Sequence, residues 1–117
     1  MPLILQTVDG DPLVTVNDET LSVGDALQRL TYKGFDFTKL SLKLHSIKRK
    51  NLQGFIGSNA HFYKCHFSQV SFRDGNLSKS VFQECTLEKV DLTRCQLEGA
   101  KFIKTTSIDV NPPIQND

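Results

Sequence analysis

From Phe62 to Phe102 every fifth residue is Phe or Leu: Phe62, Phe67, Phe72, Leu77, Phe82, Leu87, Leu92, Leu97 and Phe102. Two residues before each lies a smaller side chain: Ala60, Cys65, Val70, Gly75, Ser80, Cys85, Val90, Cys95 and Ala100. Neither a helix, of period 3.6, nor a flat strand, of period 2, produces a strict five. The period is an internal repeat, and repeats decide an architecture before any local propensity does. The intervening residues are polar, as in His66, Ser68 and Gln69 or Ser71, Arg73 and Asp74. Each repeat therefore sends one large and one small group inward and three outward, and the nine Phe and Leu residues are the expected core.

Short straight segments joined by corners close into a coil around such an inward stripe. Four repeats per coil place residues twenty apart above one another. At that spacing Phe62, Phe82 and Phe102 stack, Leu77 meets Leu97, Phe72 meets Leu92, Cys65 meets Cys85 and Val70 meets Val90. Outside, Lys64, Glu84 and Lys104 form an alternating-charge column and Asp74 faces Arg94; opposite charges across neighbouring strands are favourable. Upstream the step continues through Phe37, Leu42, Ile47 and Leu52, and then Gly57 leaves a hole. The small slots there hold Phe35, Leu40, His45, Lys50 and Phe55, and a lysine cannot sit buried and unpaired. Residues 35–59 are read as a degenerate coil with bulges. The alternative is a separate strand over Lys39–Leu44, in which Leu40, Leu42 and Leu44 alternate at period two.

The segments Ala100-Lys101-Phe102 and Val90-Asp91-Leu92-Thr93-Arg94 resemble the repeat of the pentapeptide-repeat family, strongly over residues 60–104. The resemblance implies an all-β fold, a right-handed quadrilateral β-helix, here a short solenoid of about three coils. At about 4.8 Å per coil its core stands roughly 17 Å tall.

Each open end of a solenoid is an edge that needs a cover. Residues 1–34 read as the N-terminal cap. Leu3–Val8 alternates, Asp9-Gly10-Asp11-Pro12 is a turn and Leu13–Val16 answers as a second strand. Ser22 and Asp25 make a capping box for a helix with Val23, Ala26, Leu27 and Leu30 on one face, and Gly34 suits its end. The expected division is cap 1–34, β-helix 35–104 and C-terminal tail 105–117, the tail carrying Pro112-Pro113. The end of the last coil is left open and offers a second copy a pairing edge.

No secretory pattern and no membrane-spanning apolar run is visible, so the expected location is the cytoplasm, with no membrane partner. The cysteines number three; an odd count argues against a secreted disulfide framework, and all three occupy inward slots as reduced thiols. Cys65 and Cys85 nonetheless stack closely enough for a disulfide in principle. The net charge is +1, but it is uneven. Residues 1–36 hold six acids and two bases, residues 37–60 five bases and no acid, and residues 61–104 seven bases and five acids.

His61, Cys65 and His66 suggest a metal at first sight, but Cys65 points inward and the two histidines diverge on adjacent faces. No nucleophile motif is present. Asp9-Gly10-Asp11 and Asn17-Asp18-Glu19 lack calcium-loop spacing. The expectation is a protein without enzymatic activity, metal or cofactor. Lys48-Arg49-Lys50 is the sharpest charge cluster and, pushed out by the bulges, the expected contact for an acidic patch on a protein partner; a solvated corner is its plain structural reading.

The function that follows is an interaction protein gripping a protein partner through its β-helix faces, an inhibitor or adaptor of phage or plasmid type. The resemblance also brings in the plasmid-borne quinolone-resistance proteins and other DNA-mimicking ligands of DNA gyrase, whose acidic rods stand in for duplex phosphate. Mildly basic repeat faces and a short rod weigh against that role here. A self-associating structural module is the other alternative. Direct nucleic-acid binding is the weakest, because Arg73, Lys79 and Arg94 are expected on different faces and Tyr63 is the one outward aromatic of the repeats.

Overall fold

The computed structural model describes residues 3–115. A hairpin of β1 (Leu3–Thr7) and β2 (Pro12–Val16) leads into α1 (Val23–Tyr32). Short strands follow in pairs: β3 (Leu40–Lys43) and β4 (Ser46–Lys48), β5 (His61–Tyr63) and β6 (His66–Ser68), β7 (Val81–Gln83) and β8 (Thr86–Glu88), β9 (Lys101–Ile103) and β10 (Thr106–Ile108). Parallel pairs join residues twenty apart: Leu42, Phe62, Phe82 and Phe102 on one side, Ile47, Phe67 and Leu87 on the next. Single bridges on the same spacing complete the other two sides, Asp36–Ile56–Asn76–Gln96 and Asn51–Ser71–Asp91–Asn111. The chain is a four-sided all-β solenoid with a hairpin and helix as its N-terminal cap.

The corners fall every five residues. From Lys39 to Asp109 each fifth residue has positive φ, Gly54 and Gly99 among them and the rest between 48° and 67°. One left-handed residue per repeat turns the chain through a corner and leaves four residues before the next. The four faces then differ by sequence. At four of the eight positions before the core residue on the first and fourth faces stand Asp36, Asn51, Asn76 and Asp91, whose side-chain oxygens accept from the backbone N–H two residues on. Such Asx turns compete with strand geometry. The second and third faces put Ser41, His61, Val81, Ser46, His66 or Thr86 there and form strands.

Phe62, Phe67, Phe72, Leu77, Phe82, Leu87, Leu92 and Phe102 are buried, whereas Leu97 on the last coil is only partly covered. Phe62, Phe82 and Phe102 form one column of near-parallel rings with centroids 4.6 and 5.0 Å apart. Polar residues in the small slots satisfy themselves: Ser80 donates to the Leu77 carbonyl and Thr105 to that of Phe82.

Three expectations change. Residues 35–59 form a regular coil without bulges, every pair lying at twenty. Gly57 leaves no hole. The Phe55 ring, displaced from the small slot, fills the space, and a Cβ on Gly57 would stand 2.2 Å from it. Phe55 stacks on Phe37 and meets Phe72 edge-on. Third, the ladder does not stop at Lys104: β10 pairs with β8 and Asn111 with Asp91, so the segment expected as a tail carries the coil onward. The alternative of a separate strand over Lys39–Leu44 is replaced by β3 of the coil, which ends at Lys43. Leu40 and Leu42 are buried in coil slots, while Leu44 occupies a left-handed corner and is 72% exposed.

The cap covers the first coil in two ways. β1 pairs antiparallel with β3, so the hairpin extends the second face into a six-stranded sheet of order β2-β1-β3-β5-β7-β9. Helix α1 buries Gly24, Ala26, Leu27 and Thr31 and packs on β4. The Ser22 hydroxyl and the Asp25 carboxylate form the reciprocal capping box at its start.

Candidate partner-binding surface

Lys48, Arg49 and Lys50 do not form one cluster. Lys48 is exposed on the third face and Arg49 at the adjoining left-handed corner. Lys50 occupies an inward slot, its side chain 23% exposed, with Nζ 2.6 Å from Asp25 Oδ1. A half-buried ammonium needs such a partner. The helix approaches closely enough because residue 24 is glycine: a Cβ there would meet Lys50 Cγ and Cε at 3.3 Å. Lys50 thus ties the cap to the coil. The Lys50 ammonium, then the Ser22 hydroxyl, hold the Asp25 carboxyl below its usual range.

The histidines and cysteines are not gathered into one site. His61 Nε2 lies 3.2 Å from Gln83 Oε1, and His66 Nε2 3.7 Å from Glu88 Oε1 on the next face. Among the described residues no three His, Cys, Asp or Glu side chains are placed to hold a metal. His45 is half-buried, and desolvation holds its pKa below the usual value. The Cys65 and Cys85 thiols are buried and unlinked, donating to the carbonyls of Leu42 and Phe62. The neighbouring Cys65 sulfur, followed by burial, pushes the Cys85 thiol up. Burial raises Cys95 to about 11. Asp9 to Asp11 belong to the hairpin turn, closed by Thr7 N–H on the Asp11 carbonyl, and Asp18 accepts from Thr20.

Arg73 and Arg94 share the fourth side rather than lying on different faces. Arg94 Nε lies 2.7 Å from Asp74 Oδ1, and Arg73 Nη1 3.4 Å from Asp91 Oδ2. Both cations are thereby committed to carboxylates one coil away. The Lys64–Glu84–Lys104 column is in register but forms no ion pair within 4 Å among the described residues. The Lys64 ammonium sits instead over the Tyr63 ring, 5.3 Å from its centroid.

The second face went unnoticed as a charge surface. Lys39, Lys43, Lys64, Lys79, Lys101 and Lys104 all lie on it or at its two corners, with Glu84 as the one acid among these coil positions. The signal was available: reduced by twenties, these positions fall between 39 and 44, but grouping charges by consecutive segment hid it.

The family model of the pentapeptide repeat region matches residues 55–110. The chain carries a pentapeptide-repeat region. Its matched limits include the swapped Phe55–Gly57 repeat at one end and the coil beyond Lys104 at the other. The uncharacterized protein YjcF of Escherichia coli (strain K12) is 32% identical over 85 residues, 73% of this chain and 18% of YjcF. The chain thus spans less than a fifth of that relative's length. Among the described residues of this pentapeptide-repeat chain no helix is long and apolar enough to cross a membrane.

Proposed function

We propose that the protein is a non-enzymatic interaction module, an inhibitor or adaptor in the cytoplasm, which holds a protein partner against the faces of its β-helix. One observation carries this reading: many of the groups capable of chemistry are committed to building the coil. Asp36, Asp91, Asn51 and Asn76 close turns, Cys65 and Cys85 face the core, and Arg73 and Arg94 bridge coils. What remains outward is a set of rigid, flat, regularly spaced faces, suited to recognition without reorganisation. Lys48 and Arg49 have no carboxylate within 4 Å among the described residues and serve as a contact for an acidic surface.

The test is affinity capture from the source cells, followed by stoichiometry of the purified complex. A one-to-one complex whose association slows when Lys48 and Arg49 are reversed to Glu supports the reading. A catalytic turnover assignable to the purified protein overturns it. Self-association is a second reading with an observation of its own: Cys95, Leu97 and Ala100 of the last coil are only partly covered, whereas Leu77 and Phe72 beneath are fully buried. Concentration-dependent mass in sedimentation equilibrium would establish it.

A further inference from the structure

The second face differs from the other three in shape, polarity and charge. Six strands lie side by side across it, because the hairpin extends it beyond the first coil. Ile4 and Val8 stand out on the hairpin, 51% and 46% exposed, and the coils add Tyr63 and Ile103 in one row, with Gln83 between them, and Val81 in the other, between His61 and Lys101. Val8, Ser41, Lys43, His61, Tyr63 and Gln83 line a shallow cavity of about 290 Å³ in the middle. Lysines edge the strip on both sides, Lys39 and Lys79 at one corner row, Lys64 and Lys104 at the other with Glu84 between them. Lys39 faces Asp9 at 3.9 Å. Lys43, Lys64, Lys79, Lys101 and Lys104 have no carboxylate within 4 Å among the described residues.

We infer that this face is the docking surface for an extended acidic segment of a protein partner, lying along the coil axis between the two lysine rows. The inference rests on the interaction-module reading and adds the surface and the partner's chemistry. Dimensions choose the occupant. Six strands at about 4.8 Å span roughly 24 Å, and the three-residue strands of the coil give a width of about 10 Å. A strip of that area falls well below the ~800 Å² per partner that a stable globular interface needs. An extended chain of about seven residues matches its length. Unpaired lysines supply the complement for carboxylates, and the cavity beneath Tyr63 receives one apolar side chain of the segment. A nucleic acid fits less well. Every cation here is a lysine, a point charge without the fork of arginine, and the one aromatic, Tyr63, is already covered by Lys64.

The experiment titrates the full chain with a fluorescein-labelled oligoglutamate peptide and, separately, with oligothymidylate, at low and physiological salt. Two charge-matched variants are compared, Lys64→Gln with Lys104→Gln, and Lys33→Gln with Lys89→Gln. Glutamine already occupies a left-handed corner at Gln69, so the first variant is expected to fold. The expected result is salt-dependent oligoglutamate binding that weakens about tenfold in the first variant and less than about threefold in the second. Equal weakening in both variants, absence of oligoglutamate binding, or tighter binding of oligothymidylate overturns the inference. The outcome is separable from the broader reading. A captured partner that still binds the Lys64/Lys104 variant at full affinity refutes this surface and leaves the module intact. Oligoglutamate binding with the expected variant dependence, and no partner, does the reverse.

Discussion

Phe55 and Gly57 show how one side chain can be traded for another two positions away. In the repeats from Ala60 to Phe102 the large group stands in one slot and the small group in the other; at residues 55–57 they are exchanged, and the Phe55 ring occupies the volume the missing Gly57 side chain would need. The two positions should be strongly coupled. Phe55→Ala alone is expected to cost roughly 3–5 kcal/mol, the usual penalty for an aromatic removed from a packed core. Gly57→Leu alone drives a side chain into the ring and is expected to destabilise by about 1–3 kcal/mol or more. The double variant restores the ordinary repeat order and should recover most of the loss. Urea denaturation of the four proteins measures the coupling, and simple additivity would refute the exchange. Leu44 is a second residue out of keeping with its place, a largely exposed leucine at φ 63°. Asparagine tolerates that conformation and already serves at the corner residue Asn59. Leu44→Asn is expected to raise the urea midpoint by an amount equivalent to a few tenths to about 1 kcal/mol.

At the scale of elements, the cap and first coil are joined by an ion pair as well as by apolar packing. Asp25 closes the capping box of α1 and receives the Lys50 ammonium. Its folded pKa is depressed, so its contribution is present above the unfolded value of about 3.9 and is lost as pH falls through the folded value. Asp25→Asn should therefore lower thermal stability by a constant amount from about pH 5 upward, and the difference should shrink as pH falls below about 4 and vanish only below the depressed folded value. A difference that persists in acid would mean that packing, not charge, carries the effect. Lys50→Glu should lower the melting temperature, whereas Lys48→Glu with Arg49→Glu should leave it nearly unchanged. The left-handed corners explain why these neighbours differ so much: three consecutive residues point outward, around a corner and inward.

Across the whole molecule the columns are what make separate repeats one structure. The Phe62–Phe82–Phe102 stack links three coils and Phe82 stands in its middle, also touching Phe67 edge-on. Phe82→Ala is expected to cost roughly 3–5 kcal/mol. Because each coil contacts only its neighbours, the loss should also divide the solenoid and reduce the steepness of unfolding. Thermal unfolding followed by far-ultraviolet circular dichroism would show both, and an unchanged midpoint would place Phe82 outside the core.

The five-residue period was sufficient for the coil, its columns and its inward cysteines, because apolar burial repeats whenever the backbone repeats. The capping box and hairpin turn were equally legible, since each is set by residues within a few positions of one another. What the sequence hid depended on distances between segments remote in the chain. Lys50 read as part of a basic surface until the helix brought Asp25 to it from twenty-five residues away. Gly57 read as a hole because a repeat pattern assigns one slot to each residue, whereas packing fills volume with whichever ring can reach it. The lysines of the second face read as scattered along sixty residues. Only the closure of the coil, and the hairpin laid beside it, made them the two edges of one sheet.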